Sequence, residues 1–261
     1  MSDISIDEKR VYADRAGKTE VFVAAGMGLA RVDVSGDKVG GFGLDWRGDA
    51  RDVAGGNGRL LVATDADVLV ATDDGFAETG FGPATAVGVS PDGFLAAGKG
   101  RVARYDEGWE SIGEATDVRA IDGDLLATGD GVRRVTADGL ADAGLDDVRD
   151  VAGVGTPLAA TPDALYELGN GWMHALGGDF EVCASDGERA HAATAGTLYG
   201  RDGTEWQAVD LPVETAIADV AYGEGTYAVG ADGTFLVDAG DGFRDRSLGV
   251  RAARAVAVPG R

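Results

Sequence analysis

Four aspartates lie at one position of a repeated pattern in this chain. Each stands eleven or twelve residues before the small residue that ends an apolar segment: Asp52, Asp117, Asp150 and Asp219. Arginine directly precedes this position in three repeats, as Arg51, Arg149 and Arg254, and the pentapeptide RDVAG occurs twice, at 51–55 and 149–153. If the repeats surround an axis, the carboxylates ring one mouth of a central channel. Carboxylates suit hard cations such as Ca²⁺, Na⁺ or K⁺, whereas guanidinium groups suit an anionic ligand.

A simpler interpretation of the same residues needs no ligand. The arginines and aspartates neutralise each other around a water-filled channel, in a chain that has many aspartates to distribute. We favour this interpretation over ligand binding. The choice between them depends on the elements that position the residues.

Short apolar segments repeat along the whole chain. Seven of them end in a small residue, at positions 26, 64, 98, 129, 161, 194 and 230, so that the mean spacing is 34 residues. A turn of two to four residues follows each segment, and a second short strand comes after it, as in VLVAT (68–72) and VARY (102–105). A fixed period of this length is typical of an architecture in which each repeat is one supersecondary unit.

A glycine-containing turn followed by a large apolar residue comes next in six of the seven repeats. The six are DDGF (73–76), DEGW (106–109), ADGL (137–140), GNGW (169–172), GTEW (203–206) and GDGF (240–243), with Val39 in the first repeat. Glycine and asparagine tolerate the positive φ that tight hairpins need. We expect the apolar residue to begin a third strand and to pack against the neighbouring repeat, with an outer strand such as ESIG (110–113) after it. Stacking of a cofactor on Trp109, Trp172 or Trp206 is the less favoured alternative, and no cofactor is expected.

Four short strands per repeat, without any capped amphipathic helix pattern, predict an all-β fold. The expected architecture is a seven-bladed β-propeller with about four antiparallel strands in each blade. The C-terminal RAARAVAVPG (251–260) matches a first strand, and the N-terminal EVFVAAG (20–26) matches a second strand. We expect the two to complete one blade and close the ring. Residues 1–18 are predicted to form an N-terminal arm, and residues 19–261 the propeller domain.

The repeats LLVAT…VLVATDDGF and DLLATG…VRRVTADGL resemble the short, degenerate repeats of bacterial and archaeal YVTN-type propellers, within the wider group of YVTN and WD40-like repeats. The Gly-His and Trp-Asp pairs of WD40 blades and the double glycine of kelch blades are missing. The turn in TDDGFAET (72–79) departs from the spacing of a sialidase Asp-box. With its acidic composition, the chain resembles haloarchaeal β-propeller proteins over residues 19–261. This resemblance implies a fold and no activity.

The sequence contains no strong catalytic motif. Phosphate-binding loops, His-Glu-x-x-His and Gly-x-Ser-x-Gly are all missing. The two histidines, His174 and His191, are expected on an outer strand and a second strand, so they need not meet. Cys183 is the single cysteine, and we expect it to be a small buried residue. Enzymatic activity is therefore left open but is not favoured.

The charge of the chain restricts its partners. The net charge is −22, from 45 acidic against 23 basic residues, of which four are lysines. A field of this sign repels nucleic acids and acidic membrane surfaces. The start MSDISIDEKR lacks the features of a signal peptide, and no run of 18 apolar residues offers a membrane span. We expect a cytoplasmic monomer whose partners are proteins, with a surface adapted to molar salt, where the Debye length is about 3 Å.

Taken together, these patterns predict a non-enzymatic, cytoplasmic protein-interaction scaffold adapted to high salt. A propeller presents many loops on a rigid frame, which suits binding. The alternative is a propeller, including an enzyme, that binds a small ligand or cation at the acidic ring of the channel mouth. The expected residues of that site are Asp52, Asp117, Asp150, Asp219, Arg51, Arg149 and Arg254.

Overall fold

A computed structural model describes residues 17–56 and 58–260 of the chain. Within these ranges every regular element is a β-strand, and the strands form seven antiparallel sheets of four. Each sheet is one blade. The predicted all-β, seven-bladed propeller is therefore confirmed. Of the predicted N-terminal arm (residues 1–18), residues 1–16 lie outside the described residues.

The blades follow one another along the chain. Blade 1 contains β1 (Thr19–Ala25), β2 (Gly28–Ser35) and β3 (Lys38–Arg47). Blade 2 contains β4 (Ala50–Gly56), β5 (Arg59–Thr64), β6 (Val68–Thr72) and β7 (Gly75–Glu78). Blade 3 contains β8 (Ala86–Ser90), β9 (Gly93–Gly98), β10 (Arg101–Tyr105) and β11 (Trp109–Glu114). Blade 4 contains β12 (Val118–Asp122), β13 (Leu125–Thr128), β14 (Gly131–Thr136) and β15 (Gly139–Asp142).

The remaining blades have the same order of strands. Blade 5 contains β16 (Asp150–Ala152), β17 (Leu158–Ala160), β18 (Ala164–Leu168) and β19 (Trp172–Gly177). Blade 6 contains β20 (Phe180–Ser185), β21 (Ala190–Thr194), β22 (Leu198–Asp202) and β23 (Glu205–Ala208). Blade 7 contains β24 (Ile217–Tyr222), β25 (Thr226–Gly230), β26 (Thr234–Asp238) and β27 (Arg244–Ser247). The last strand, β28 (Ala253–Ala257), is the inner strand of blade 1.

The two ends of the chain close the ring as expected. β28 pairs antiparallel with β1, so that Val256 lies opposite Val23 and Ala257 opposite Phe22. This pairing leaves blade 1 with four strands in the order β28-β1-β2-β3. Closure within a sheet gives β1 a hydrogen-bonded neighbour on its inner side, which an open ring would leave unpaired.

The third and outer strands that the sequence analysis separates are a single strand. Trp109 and the ESIG segment both belong to β11, which pairs along its length with β10 despite one register shift. The expected turn geometry holds in DDGF, where Gly75 has a φ of 122°. In DEGW the positive φ falls on Glu107 instead, at 55°. The aromatic residue therefore enters the outer strand directly from the turn.

The hydrophobic core is divided into seven clusters that lie mainly between neighbouring blades. In two of these clusters, the outer-strand aromatic residue belongs to the later of the two blades in the chain. Trp109 packs against Phe81 of the connection from blade 2, with ring centroids 4.6 Å apart. Trp172 packs into the cluster of blades 4 and 5, and its Nε1 donates to the Ala143 carbonyl at 2.7 Å. The predicted packing role of these aromatic residues is thus confirmed.

Candidate functional site: the central channel

A channel runs along the axis of the ring. The seven inner strands β4, β8, β12, β16, β20, β24 and β28 all line it, and they enclose a cavity of about 500 Å³. Each inner strand begins at the same end of the channel, because successive blades repeat one strand order. Residues at corresponding positions of these strands therefore form layers around the axis.

Three of the predicted aspartates form one such layer. Asp52 on β4, Asp150 on β16 and Asp219 on β24 all line the channel and are half-buried. One oxygen of each carboxylate accepts the N–H of the next residue in its own strand, at 2.7–2.8 Å. The other oxygen accepts an N–H from the inner strand of the following blade. These second donors are Val87 for Asp52 at 2.9 Å, Cys183 for Asp150 at 2.8 Å and Val256 for Asp219 at 2.7 Å.

The structure places Asp117 outside this layer, contrary to the expectation from the sequence. Asp117 precedes β12, has a φ of 51° and exposes 62% of its side chain. The position that corresponds to Asp52 is held by Ala120, which lies opposite Ala127 as Asp52 lies opposite Ala63. The β12–β13 hairpin is shorter than the β4–β5 hairpin. Counting back twelve residues from position 129 therefore reaches Asp117, which lies before the start of β12.

The predicted arginines, and one that the sequence analysis missed, lie one residue before the aspartate layer. Arg254, Arg51 and Arg149 are joined there by Arg119 on β12. Each guanidinium donates to a carbonyl of the following blade. The acceptors are Ala50 for Arg254 at 2.9 Å, Ala84 for Arg51 at 3.3 Å, Val148 for Arg119 at 3.2 Å and Phe180 for Arg149 at 3.4 Å.

The arginines are neutralised by acidic residues other than the buried aspartates. Arg254 pairs with Asp49 at 2.6 Å, and Arg119 pairs with Asp117 at 2.8 Å and with Asp147 at 2.7 Å. Further pairs join Arg149 to Asp179 at 2.6 Å and to Glu181. The expected mutual neutralisation of arginine and aspartate around the channel is thus correct for Asp117. The carboxylates of Asp52, Asp150 and Asp219 instead accept hydrogen bonds from backbone N–H groups.

The arginine and aspartate positions together form what we call an inter-blade link. In a link, a side chain at the start of one inner strand bonds to the backbone of the next inner strand. The repeated RDVAG segments supply both halves of a link, with Arg51 and Asp52 joining blade 2 to blade 3. At the junction of blades 3 and 4, the hydroxyl of Thr85 replaces arginine and donates to the Val118 carbonyl at 2.9 Å.

One junction has a different connection. Between blades 6 and 7, the hydroxyl of Tyr222 donates to the Ala184 carbonyl at 3.1 Å, and His191 Nδ1 lies 2.9 Å from the same hydroxyl. Arg189 of blade 6 adds a bond to the Gly223 carbonyl at 3.1 Å. Side chains that bond to the neighbouring blade are therefore present at all seven junctions of the ring.

Asp122, which the sequence analysis also missed, joins blades 4 and 5 further along the channel. It is the last residue of β12, and its Oδ2 accepts the N–H of Gly153 at 2.7 Å. The IDGD segment marks this hairpin in the sequence, because an aspartate next to a turn glycine ends the strand. Aligning the repeats on their hairpins rather than on a fixed count would have found both Asp122 and Arg119.

The position of the carboxyl groups in the channel changes their acidity. Burial raises the pKa of Asp52 and Asp150 to about 7, and the pKa of Asp122 to about 6, against the hydrogen bonds that favour the charged form. Burial also raises the pKa of Asp219 well above its ordinary value, and the charge of Asp150 adds to that effect. Along the described residues, no group of three His, Cys, Asp or Glu side chains has the geometry to hold a metal ion.

Residues 5–259 match the HVO_0234-like beta-propeller family. The chain belongs to this family. No curated protein sequence matches it. The family assignment agrees with the seven closed blades and covers nearly the whole propeller.

Several solved structures are similar to this chain in fold. YCF48 bound to a D1 peptide has a TM-score of 0.57 and 12% identity over 75% of this chain and 81% of that one. The Cps50 (Swd1) β-propeller domain of Myceliophteria thermophila has a TM-score of 0.62 and 12% identity over 80% and 89%. The Pan2 WD40 domain of Neurospora crassa has a TM-score of 0.59 and 13% identity over 87% and 85%. At these identities the likeness concerns the fold.

The two histidines lie outside the aspartate layer, and Cys183 contributes its backbone N–H to it. His174 is exposed on outer strand β19, and His191 is on β21, the second strand of blade 6, as expected. Burial lowers the pKa of His191 to about 4, so its imidazole is neutral near pH 7. Cys183 is buried as predicted, and burial raises the pKa of its thiol well above the ordinary value. Over the described part of the chain, no helix is long and apolar enough to cross a membrane.

Proposed function

We propose that this protein is a non-enzymatic, cytoplasmic scaffold for protein–protein interaction. The observation that carries the proposal is the use of the channel's charged side chains. Asp52, Asp150 and Asp219 accept backbone N–H groups with both oxygens, and the channel arginines donate to backbone carbonyls. The charged side chains that could otherwise bind a ligand or take part in catalysis thus hold the blades together. A rigid ring of this kind keeps its loops and outer strands in fixed positions for a partner.

The similar structures support a binding role. YCF48 is a propeller that was solved with a bound D1 peptide, and two other similar structures are a Swd1 propeller domain and a Pan2 WD40 domain. All three share their fold with this chain, and the proposal extends the peptide binding of YCF48 to it. Fold alone does not determine function, so the proposal needs a direct test.

Adaptation to high salt is part of the proposal. The net charge of −22 makes the ring repel itself in dilute buffer, and molar salt screens this repulsion. We expect partners to bind under the same conditions. Contacts that rely on apolar surface and backbone hydrogen bonds keep their strength there, whereas exposed ion pairs weaken.

The test is capture of a partner at the salt concentration of the protein's own cytoplasm. The tagged full chain serves as bait in lysate, and an unrelated acidic protein of similar charge serves as the control bait. A captured protein must then bind again in purified form, with a defined stoichiometry by calorimetry. Repeated captures that yield no protein able to rebind would overturn the scaffold proposal.

The channel itself supports a second candidate function, the binding of a small ligand. A cation is the less favoured form of this candidate, because no group of three His, Cys, Asp or Glu side chains among the described residues has the geometry to hold a metal ion. A cavity of about 500 Å³ is large enough for a small molecule, and Asp52, Asp150, Asp219, Arg51, Arg149 and Arg254 all line it. In its cation form, this candidate predicts that Ca²⁺ raises the melting temperature of the protein. Replacing Asp52 and Asp150 by Asn should abolish the rise, and replacing the exposed Asp117 and Asp245 should not. If no cation or metabolite raises the melting temperature of the unaltered chain, this candidate fails.

A further inference from the structure

The outer strand of blade 1 differs from the other outer strands. β3 has ten residues, whereas the other six have four to six. An outer strand of a blade has an unpaired edge, and proteins usually protect such edges by keeping them short or charged. The length of β3 therefore makes it the most open edge among the described blades.

The middle of β3 is also uncharged. Residues 39–44 read VGGFGL, and charged residues occur only towards the ends of the strand. Phe42 exposes 40% of its surface, which makes it one of the few large apolar residues on the outside of the ring. Its ring lies 5.7 Å from the guanidinium of Arg246 in blade 7. An apolar, uncharged edge favours pairing with another chain.

Two of the three glycines of this segment, Gly41 and Gly43, are not required by the chain's own structure. Gly41 and Gly43 do not have a positive φ. A Cβ atom added at Gly43 would meet nothing within 4 Å, and one at Gly41 would make only an ordinary contact with Asp33, at 3.5 Å. Glycine inside a strand weakens the strand, and it often marks the place where another backbone approaches closely. No such backbone belongs to the described part of this chain.

Two cationic side chains lie at the ends of β3 without a carboxylate partner among the described residues. Lys38 and Arg47 are both exposed, and neither forms an ion pair with a described residue. Two cations of blade 1 close to β3, Arg31 and Lys18, do have carboxylate partners. Arg31 pairs with Glu20 at 3.2 Å, and Lys18 pairs with Asp33 at 3.0 Å. In a chain of charge −22, two free cations at the ends of one open edge provide a charge pattern that an acidic partner would complement.

We propose that the edge of β3 binds an extended segment of a partner protein as a fifth strand of blade 1. The segment has an apolar centre and an acidic residue near each end, opposite Lys38 and Arg47. Backbone hydrogen bonds to the open edge supply affinity, and the two ion pairs set the register. The proposal rests on the scaffold function and names the kind of partner.

The pairing of β3 with β2 sets the length of the added strand. The register of this pair shifts at two places, so Phe42, Gly43 and Leu44 form the regular middle of the strand. These irregularities confine regular pairing to that middle, and the flanking residues of the added segment reach the two cations. A segment of about ten residues spans the distance between the two free cations and is sufficient, since β3 itself has ten residues.

The probe is a fluorescein-labelled synthetic peptide of ten residues, with Glu at each end and alternating Val and Thr between. Its binding to the full chain is measured by fluorescence anisotropy in 1 M and 3 M KCl. We expect the double variant Lys38→Glu, Arg47→Glu to bind at least threefold more weakly in 1 M KCl, with a smaller difference in 3 M KCl, because added salt weakens exposed ion pairs. The matched control is Lys99→Glu, Arg251→Glu, which makes the same change of charge at exposed cations elsewhere and should bind as the unaltered chain does. Equal binding by the two double variants would overturn the proposal.

Two further peptides test the backbone pairing itself. One carries N-methyl groups on the odd-numbered residues and the other on the even-numbered residues. Because only alternate N–H groups of an added strand face the sheet, one of the two should lose binding and the other retain it. Equal binding of both would show that charge alone attracts the peptide, and it would overturn strand addition.

Two observations separate this proposal from its competitors. A stable dimer of the chain without peptide, lost in Lys38→Glu, Arg47→Glu, would mean that a second copy occupies the edge, and it would overturn the partner segment. A captured partner that binds this double variant as well as the unaltered chain would leave the scaffold function intact and overturn only the site on β3. Loss of the captured partner from the double variant, and not from its control, would support both.

Discussion

The carboxylate of Asp219 accepts the backbone N–H of Val256 at 2.7 Å, and this bond joins the seventh blade to the strand that closes the ring. Asp52 and Asp150 make the same bond at the junctions after blades 2 and 5. Three aspartates that the sequence suggests as ligand-binding residues therefore connect neighbouring blades. The acidic layer of the channel holds the ring together at three of its seven junctions.

Replacing Asp219 by Ala should destabilise the closed ring. The change leaves the N–H groups of Val220 and Val256 without an acceptor, and an unsatisfied buried donor costs about 1–3 kcal/mol. We expect the free energy of unfolding, measured with urea in 2 M KCl, to fall by that amount. The control Asp245→Ala removes an exposed carboxylate from outer strand β27 and should change stability by no more than about 0.5 kcal/mol. Equal effects of the two would contradict the role of Asp219.

Stability should rise as the pH falls from 8 to about 5. The pKa of Asp52 and Asp150 is about 7 in the folded protein and has an ordinary value of 3.8, so the folded state binds more protons over that interval. Their contribution is fully present below pH 3.8 and is lost as the pH rises through 7. At the acid end the pKa of Asp49, lowered by its hydrogen bond with Arg254, has the opposite effect, since protonation of Asp49 costs stability there.

Melting temperatures between pH 3 and pH 9, at constant KCl concentration, test this pH dependence. We expect a maximum near pH 5 and a decline on both sides. The double variant Asp52→Asn, Asp150→Asn should have a flatter curve between pH 5 and pH 8, because it lacks two of the carboxyl groups that titrate there. A melting temperature that rises steadily from pH 5 to pH 8 would show that these carboxyl groups are not buried as described.

The fold could be predicted from the sequence because its signals are local. Turn glycines such as Gly75 and the short apolar strands recur in every repeat, and the unmatched strands at 20–26 and 251–260 indicate closure. The partners of the channel residues could not be predicted in the same way. The bond from Asp52 to Val87 crosses 35 positions of the chain and depends on how two blades meet.

Asp117 shows a second limit of sequence reasoning. Its place in the predicted ring depended on a constant distance from each apolar segment, but hairpin lengths vary between blades. The charged channel residues of blade 4 are Arg119 and Asp122. A repeat defines the order of strands, whereas the exact register in each blade depends on its own turns.

Dilute buffer should unfold the protein. At a net charge of −22, repulsion between carboxylates extends over about 10 Å in 0.1 M salt and over about 3 Å in 1 M salt. We expect the melting temperature to rise with KCl up to about 1 M, and the β-sheet signal in circular dichroism to weaken without salt. Sucrose at equal osmolality is the control, since it is excluded from protein surfaces but screens no charge. A melting temperature that does not depend on KCl would exclude the proposed adaptation.

Trp172 should contribute far more stability than its neighbour Met173. Both residues lie on β19, but Trp172 packs between blades 4 and 5 and donates to the Ala143 carbonyl at 2.7 Å, whereas Met173 is 54% exposed. Loss of the half-buried ring and its hydrogen bond should cost about 2–4 kcal/mol in Trp172→Ala. Met173→Ala should cost no more than about 0.5 kcal/mol.

The variant Trp172→Phe separates packing from hydrogen bonding. It keeps most of the packing and loses the hydrogen bond to Ala143, so we expect the free energy of unfolding in urea to fall by an intermediate amount of about 1 kcal/mol. If the two alanine variants unfold at the same urea concentration, the outer-strand aromatic residues do not join the blades.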